Sequence, residues 1–301
     1  MKTVDIAMAT YNGEHFIEEQ IKSIQAQTYD NWQLYISDDG SKDNTTNLIE
    51  KMMHDDSRIK LINTKRQGGV INNFNKVLMA TTAEYVLLCD QDDIWINDRL
   101  EKLVNKIEGV SKDQDVPKMV FTDLELVNEK GETIASSFYS ANKLNASENL
   151  EKNNLIWRST IYGCTTIVNR KLLEKSLPIP EYAQMHDQWL ALNAIQSDGL
   201  YYFDYQSLKY RQHGNNVVGG SHKGFKGKLS NFRKSLKNIK ISVLKIKSLL
   251  RDRSDLTSNK DTFNSYFDFI MFAFKEIMPK VFVGDKKIQT LFIFIGFLIL
   301  K

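Results

Sequence analysis

Short apolar runs alternate with helical patterns through the first third of this 301-residue chain, and that alternation restricts the fold more than any other feature. Residues 4–9 form the first apolar run, and the segment EHFIEEQIKSIQAQ after it places its apolar side chains on one helical face. Strands and helices in regular alternation are typical of βαβ units. We therefore predict an α/β fold, with a Rossmann-like, mostly parallel sheet flanked by helices.

The positions of these patterns give the expected elements. From Met119 onward the regular alternation gives way to two strands around a turn and then to shorter elements. The expected strands lie at residues 4–9, 32–37, 59–64, 85–89, on both sides of 128–131, within 162–178 and over 201–214. The expected helices lie at 14–27, 43–53, after Gly68-Gly69, around 100–107, before Pro178 and over 186–198, with Gly199 just past the end of the last one.

Composition excludes some classes of protein. The chain is 42% hydrophobic and 26% charged, which is typical of a globular protein and not of a disordered one. Its formal net charge of +3 is too small to predict nucleic acid as a partner. The two cysteines, Cys89 and Cys164, have apolar neighbours, so we expect buried, reduced thiols. The N-terminus enters a strand-like run at once, so no secretory signal is expected and the cytoplasm is the predicted location.

Polar clusters follow three of the predicted parallel strands. They occupy residues 10–13, 38–41 and 90–93, and the last cluster comes directly after the apolar run YVLLC. Because ligands bind at the carboxyl ends of parallel strands, three clusters at one sheet edge predict a single acidic pocket. The alternative is three separate turns, since Asp, Asn and Gly are common in turns.

The third cluster places Asp90, Asp92 and Asp93 within four residues. Crowded carboxylates repel one another and lose hydration, so a compensating positive charge is expected. Mg²⁺ is bound by one or two carboxylates together with phosphate oxygens, which predicts a divalent cation and a diphosphate ligand. The alternative of a helix cap is reasonable for Asp93, but it does not suit Asp90, which directly follows five apolar residues.

The motifs together resemble a known family. MATYNG, SDDGSKDNT, CDQDDIW, HDQWLALNA and YRQHGNN are similar to those of inverting family-2 glycosyltransferases with a GT-A fold. The closest likeness is to bacterial rhamnosyltransferases of cell-surface polysaccharide synthesis. The resemblance covers about residues 3–220 and implies a GT-A catalytic domain over 1–220. Its nucleotide-sugar-binding half would span about 1–115 and its acceptor-binding half about 116–220, followed by a helical C-terminal region over 221–301.

The resemblance also implies roles for individual residues. Asp92 matches the D-x-D carboxylate that holds Mg²⁺ or Mn²⁺, and His213 matches a residue that reaches the metal or diphosphate. Asp187 matches the general base, although a helix N-cap is the alternative for an acid at that position. The matching donor-binding residues are Thr10, Tyr11, Asn12, Asp39, Asp90 and, with less support, Arg211.

The implied activity is transfer of a sugar, with inversion, from a dTDP- or UDP-linked donor to a saccharide or lipid-linked saccharide. L-rhamnose from dTDP-L-rhamnose is the favoured donor, with a UDP-hexose or UDP-hexosamine as the alternative. A sugar nucleotidyltransferase is discounted, because a Gly-rich, Arg-containing loop would follow the first strand, where this chain has Tyr11-Asn12-Gly13-Glu14. A non-catalytic donor-binding scaffold is the remaining alternative, and the presence of both Asp92 and Asp187 argues against it.

The C-terminal region is basic and amphipathic. Residues 223–253 contain eleven Lys or Arg side chains against one acid, Asp252, with apolar residues between them at helical spacing. We favour a helix that lies on the inner surface of the cell membrane and meets anionic headgroups. The alternative is a solvated basic face that packs on the catalytic domain or on a second subunit of a homodimer. The apolar stretch 291–300 is too short to span a bilayer and is either a packing helix or an interfacial anchor.

Overall fold

The computed structural model describes residues 2–111, 113, 115–214, 228–253, 255, 257, 262–282 and 287–300. The chain forms two compact units. Unit 1 comprises Met1–Phe138, Ile161–Ile179 and Met185–Gln212, and unit 2 comprises Tyr139–Thr160, Pro180–Gln184 and His213–Lys301.

Unit 1 is built around one curled sheet with helices beside it. Its strands are β1 (Val4–Thr10), β2 (Trp32–Asp38), β3 (Ile59–Asn63), β4 (Tyr85–Cys89), β5 (Ile94–Trp95), β6 (Met119–Val127), β7 (Thr133–Ala135), β8 (Thr166–Asn169) and β9 (Leu200–Arg211). Its helices are α1 (Ile17–Gln25), α2 (Thr45–Asp55), α3 (Val70–Leu78), α4 (Arg99–Gly109), α7 (Arg170–Ser176) and α8 (His186–Ile195). Helix α5 (Phe138–Ala141) begins at Phe138 of unit 1, and its other residues belong to unit 2.

The strand order is β3-β2-β1-β4-β8-β6-β9-β5, with β7 paired to β6. β3, β2, β1 and β4 are mutually parallel, whereas β8 pairs antiparallel with both β4 and β6. Parallel pairing of β1 with β2 sets Thr10 opposite Asp38, and pairing of β1 with β4 sets Met8 opposite Cys89. The polar segments after β1, β2 and β4 therefore lie at the same edge of the sheet.

The predicted α/β class with a Rossmann-like sheet is confirmed. All five residues of β4 are buried, as the continuous apolar run predicts for a central strand covered on both faces. The closing strands expected over 201–214 are a single strand, β9, whose pairing with β6 shifts register near Asp123. These register shifts bend β9, so that one long strand follows the curl of the sheet. Two separate strands are therefore not needed there.

Asn73 connects helix α3 to the ends of β1 and β2. It is buried, and its amide nitrogen donates to the carbonyl oxygens of Thr10 and Ser37 at 3.2 and 2.9 Å. Its amide oxygen accepts from the Ser37 hydroxyl at 2.6 Å. Buried backbone carbonyls need such partners, so this one side chain fixes the helix against the strands that carry the polar loops.

Unit 2 contains the C-terminal helices. Their common core is aromatic: Phe272 stacks on Phe297 with ring centroids 6.0 Å apart. Nearer the surface, half-exposed Phe274 meets Phe294 edge-on at 5.1 Å. Among the described residues, no helix combines the length and apolar character needed to cross a bilayer. The elements are α6 (Lys152–Trp157), α9 (Lys228–Asp252), α10 (Tyr266–Phe272), a π-helical turn (Ala273–Ile277), a 3₁₀ turn (Met278–Lys280) and α11 (Lys287–Ile299).

The predicted domain boundary near residue 220 lies within 215–227, outside the described residues, as does the start of the basic segment at 223. The division into a catalytic domain over 1–220 and a C-terminal region over 221–301 therefore stays a prediction. The helical character expected of the C-terminal region is present in α9, α10 and α11.

Replacing Asn73 with alanine should lower the free energy of unfolding by about 1–3 kcal/mol, because two buried carbonyls lose their donor. Asn72 is exposed and bonds only to the Gln67 carbonyl at 3.2 Å, so Asn72→Ala is the matched control and should change stability little. Chemical denaturation of the three proteins measures the difference. Equal stability of both variants would contradict a bridging role for Asn73.

Candidate active site

The segments after β1 and β2 are held together by Asp38. This carboxylate is fully buried and accepts from the Thr10 hydroxyl at 2.9 Å and from the Ser41 backbone N–H at 2.7 Å. The Ser41 hydroxyl donates to it as well, at 2.5 Å. Thr10, predicted to bind the donor, therefore uses its hydroxyl within the protein and borders the site through its backbone. Asp38 shapes the turn, and the turn leaves Asp39 at the edge.

Asp39 holds the segment that contains Gly68-Gly69. Its Oδ1 accepts from the backbone N–H groups of Gln67 and Gly68, and its Oδ2 accepts from Gly69 N–H at 2.9 Å. Gly68 and Gly69 have φ angles of +93° and +123°, which glycine adopts readily. This backbone conformation lets three successive N–H groups point at one carboxylate. A carboxylate offers about four acceptor positions, so Oδ2 retains one for a further N–H donor.

Gln91 connects the first polar loop to the acidic one. Its amide oxygen accepts from Tyr11 N–H at 2.8 Å, and its amide nitrogen donates to the Tyr11 carbonyl at 3.1 Å. Gly13 lies beside it, and a Cβ there would displace the Gln91 amide from this position. The Tyr11 ring is exposed, and Asn12 adopts a positive φ of 49° while its side-chain oxygen accepts from Lys42 N–H. Sequence reasoning missed Gln91, although its place between two acids was the available signal.

The acidic cluster follows β4. Asp90 and Asp92 are half-buried, and Asp93 is buried with no N–H or O–H donor to its carboxylate among the described residues, where the Cys164 thiol is its neighbour. Burial, reinforced by Asp92 and Asp187, raises the pKa of Asp90 to about 7. Burial, reinforced by Asp92 and Asp90, also raises the pKa of Asp93 well above its usual range. Desolvation and mutual repulsion thus favour the protonated forms until an opposite charge arrives.

A cation would find ligands in this cluster. Side-chain ligand atoms of Asp90, Asp93 and Cys164 lie within 4.8 Å of one another. The two carboxylates offer the oxygen ligands that Mg²⁺ and Mn²⁺ prefer, and buried Asp93 accepts from no N–H or O–H group of the described residues. The residues present therefore fit a divalent cation. Asp93 does not cap the next helix, because the residue preceding α4 is Asp98.

Arg99 supplies the positive charge that the protein itself places near the cluster. Its guanidinium is fully buried, lies 4.1 Å from the centre of the Trp95 ring, and donates to the Cys164 carbonyl and to the Ser207 hydroxyl. Burial lowers the pKa of Arg99 to about 10, so the side chain remains charged at neutral pH. Its charge opposes the rise in the pKa of Asp93 without overcoming it. Sequence reasoning missed Arg99, because an arginine in an amphipathic helix is expected to face water.

Arg211, predicted as a phosphate partner, is buried and engaged with the protein. Its Nε donates to the Asp92 carbonyl at 3.1 Å, and its Nη1 donates to the Glu129 carbonyl at 2.6 Å. Its Nη2 pairs with the Glu19 carboxylate at 2.5 Å. These bonds tie the end of β9 to the acidic loop and to helix α1. Arg211 therefore contacts the backbone carbonyl of Asp92.

Asp187 lies in the first turn of α8, where it is not the N-cap, since that position is Met185. It is buried, and its two oxygens accept from Gly163 N–H at 3.0 Å and from its own neighbour Gln188 N–H at 2.6 Å. Burial raises the pKa of Asp187 to about 6, with these N–H groups opposing the rise. Because Asp187 contributes to the raised pKa of Asp90, the two carboxylates interact electrostatically within unit 1.

The neighbours of Asp187 are packed and uncharged. His186 stacks on Phe74 at 3.9 Å between ring centroids, and burial lowers its pKa to about 3. Trp189 is buried and donates from its indole N–H to the Ser176 carbonyl at 2.8 Å, as expected of a packing residue. Gly163 is required here, because a Cβ would collide with the His186 ring. His213, predicted as a metal ligand, is buried and belongs to unit 2.

A parallel sheet whose carboxyl edge carries a carboxylate cluster, extended by a mixed second half, is the arrangement of GT-A glycosyltransferases. The model of the family described as Glycosyl transferase family 2 matches residues 5–177, which is more than half of the chain. The chain belongs to this family. The predicted family membership and GT-A fold are therefore confirmed.

Two relatives illustrate the range of activities among similar proteins. The chain is 28% identical over 199 residues to the UDP-Glc:alpha-D-GlcNAc-diphosphoundecaprenol beta-1,3-glucosyltransferase WfgD of Escherichia coli, covering 65% of this chain and 71% of that one. It is 27% identical over 230 residues to the dTDP-rhamnosyl transferase RfbG of Shigella flexneri, covering 71% and 74%.

Solved structures share the fold. TarS 1–349 of Staphylococcus aureus, in complex with UDP-GlcNAc, matches with a TM-score of 0.57 at 16% identity, covering 99% of this chain and 89% of that one. A mannosyltransferase of Pyrobaculum calidifontis, in complex with GDP-Man and Mn²⁺, matches with the same TM-score and identity, covering 99% and 86%. At this identity the likeness concerns the fold alone.

Gly163→Ala should destabilise the protein by about 1–3 kcal/mol, because the added methyl group would collide with the stacked His186 ring. Either that ring or the backbone just before β8 would have to move. Gly109 has open space around its Cβ position and serves as the matched control. Gly109→Ala should be neutral or stabilise by up to about 1 kcal/mol. Thermal unfolding measures both, and a Gly163→Ala protein as stable as the control would refute the tight contact.

Proposed function

We propose that the chain transfers a sugar from a nucleotide-sugar donor to a hydroxyl of a growing surface polysaccharide or lipid-linked oligosaccharide, with inversion at the anomeric carbon. One observation carries the proposal: Asp187 is a buried carboxylate that the N–H groups of Gly163 and Gln188 orient, in the same unit as the acidic cluster, and its charge contributes to the raised pKa of Asp90. A donor site and a base in electrostatic reach of each other suit group transfer to an alcohol.

The reaction needs one base and one leaving group. The acceptor oxygen forms a bond to the anomeric carbon while its proton passes to the Asp187 carboxylate. The bond from that carbon to the diphosphate oxygen breaks, and its electron pair leaves with the nucleoside diphosphate. Attack from the side opposite the leaving group inverts the centre, and no covalent enzyme intermediate is required. Gly163 N–H and Gln188 N–H orient the Asp187 carboxylate for this role.

Asp92, within the D-x-D motif, would hold Mg²⁺ or Mn²⁺ together with Asp90 and Asp93, whose oxygens lie near Cys164. His213 is proposed as a further ligand on the resemblance alone. When bound, such a cation stabilises negative charge on the departing diphosphate without proton transfer. The chain's own contribution is to hold the carboxylates in place: Arg211 binds the Asp92 carbonyl, and Gln91 fixes the loop between them.

Binding of the nucleotide is proposed for the edge formed by Tyr11, Asn12 and Asp39. The remaining acceptor position on Asp39 Oδ2 suits the imide N–H of uracil or thymine, since both bases carry a donor there. That chemistry supports a UDP- or dTDP-linked donor and does not separate the two. Of these, dTDP-L-rhamnose is favoured by the motifs, and similarity to a dTDP-rhamnosyl transferase supports it.

A UDP-hexose donor is the second candidate, because similarity to a UDP-glucose-dependent enzyme supports it to the same degree. The alpha-D-GlcNAc-diphosphoundecaprenol in that relative's name also supports a lipid-linked saccharide acceptor for this chain. A donor-binding scaffold without activity is the remaining alternative, and it has no need for a buried, oriented Asp187.

Asp187→Asn should lower turnover at least about a hundredfold while leaving nucleotide affinity nearly unchanged, because the amide cannot take the proton but keeps the shape. In the unaltered enzyme at saturating metal, kcat/KM should rise with pH through about 6 and level off above it, since the base acts only when deprotonated. Asp204→Asn, at an exposed carboxylate of β9, is the control. Equal loss of affinity and turnover in Asp187→Asn would undermine the assignment.

A thermal-shift panel of nucleotide sugars with and without Mn²⁺ should identify the donor. We expect dTDP-L-rhamnose to raise the melting temperature more than UDP-glucose or UDP-N-acetylglucosamine, and only when Mn²⁺ is present, because the diphosphate and cation bind together. A larger shift with a UDP-sugar would establish the second candidate instead. Shifts without metal would exclude the carboxylate-bound cation.

A further inference from the structure

Two helical segments of unit 2 carry large apolar side chains on two faces, with few charged residues between them. The run formed by α10, the π-helical turn and the 3₁₀ turn buries Phe269, Phe272 and Ile277 in the aromatic core. Helix α11 buries Ile293 and Phe297 in the same core. A helix normally buries one apolar stripe and turns polar residues to water, so apolar side chains on the opposite faces of these segments require explanation.

The opposite faces are exposed and consist of large apolar side chains at helical spacing. On the first segment they recur every three or four residues, and on α11 likewise. The most exposed are Phe267 (64%), Phe282 (73%), Ile288 (73%) and Ile299 (68%). The full set, here called the apolar face, is Phe267, Met271, Phe274, Met278, Phe282, Ile288, Leu291, Ile295 and Ile299. Such a density of exposed apolar side chains marks an interaction surface.

The two segments are joined firmly, so the apolar face is presented by one packed structure. Besides the aromatic contacts, the Tyr266 hydroxyl donates to the Leu298 carbonyl near the end of α11. Buried Lys247 of α9 donates to the carbonyls of Phe297 and Leu300, where its charge also favours the helix C-terminus. A Cβ at Gly296 would lie 2.9 Å from Val243, which shows how closely α9 and α11 approach.

Charge indicates what covers the apolar face. Helix α9 contains eight Lys or Arg residues and one acid, Asp252, and Lys237, Lys240 and Arg251 are exposed on it beside exposed Leu244. Of the acids in α10 and the turns after it, Asp268 is bonded to Ser265 N–H in a capping box, and Glu276 is mostly covered. Two such basic units would repel each other, whereas an anionic lipid surface attracts them.

We propose that the apolar face inserts into the headgroup boundary of an anionic bilayer, with the basic helix α9 at the lipid surface. The inference concerns where the chain docks and does not depend on its proposed sugar-transfer activity. It differs from binding through charge alone, because the energy of insertion comes from burying Phe and Ile side chains. The length of α11, thirteen residues, suits a helix that lies in the interface.

The test uses the full chain with phosphatidylglycerol–phosphatidylcholine vesicles in equal parts, and with phosphatidylcholine vesicles alone. Flotation should show binding to the anionic vesicles and little binding to the neutral ones. Phe267→Ser combined with Ile288→Ser should lower the apparent partition constant about tenfold or more. The control combines Met79→Ser with Ile134→Ser, two apolar residues of unit 1 with similar exposure (67% and 54%), and should bind as the unaltered chain does.

A second readout remains available if the double variant does not fold. In Phe282→Trp, lipids brominated on the acyl chains should quench the added tryptophan fluorescence, whereas the same change at Ile134 should give no added quenching.

Absence of vesicle binding, binding that the double variant retains in full, or equal binding to neutral and anionic vesicles would overturn the proposal. A concentration-dependent dimer in solution that the double variant abolishes, without vesicle binding, would assign the apolar face to a second copy instead. Donor-induced thermal shifts should be unchanged in the double variant, which separates this test from that of the sugar-transfer activity.

Discussion

Repulsion among carboxylates gathered at one edge of the sheet is the constraint around which unit 1 is organised. The protein divides them into two groups. Asp38 and Asp39 each accept three hydrogen bonds from the chain, and Asp187 accepts two, so these side chains are fixed whether or not a ligand is present. Asp93 accepts from no N–H or O–H group of the described residues, and burial raises its pKa together with that of Asp90. The first group, Asp38, Asp39 and Asp187, fixes the structure of the edge. The second group, Asp90 and Asp93, would be stabilised in its charged form by a nearby cation.

Arg99 and Arg211 supply such positive charge only in part, because both are committed elsewhere. Arg99 bonds to the Cys164 carbonyl and Ser207, and Arg211 bonds to two carbonyls and Glu19. Each guanidinium therefore organises the backbone around the cluster and leaves room for an exchangeable cation. A permanent ion pair at Asp93 would satisfy the same charge but would close the site to metal and diphosphate.

The alternation of strands and helices up to α4, the family and the sheet edge could be predicted from the sequence, because alternating apolar runs and the Asp clusters are local signals. The short elements β5, α5 and α6 were not predicted. Contacts between distant segments could not. Cys164 approaches Asp90 and Asp93 only because β8 pairs antiparallel with β4, and no local pattern announces that pairing. Arg99 was hidden by the rule that arginines in amphipathic helices face water. For residues 291–300 the sequence left two alternatives, and α11 has both a packed face and an exposed one.

Gln91 has a consequence for how such a site can open. Its amide forms two hydrogen bonds to the Tyr11 peptide, in space that the missing side chain of Gly13 leaves open. The loop expected to carry the nucleotide and the loop that carries the carboxylates are thus mechanically coupled. Displacing one must pull on the other or break both bonds. A nucleotide that shifts Tyr11 would then also shift Gln91 and reorient the carboxylates beside it. Binding of the base would in this way change the position of the groups expected to hold the diphosphate.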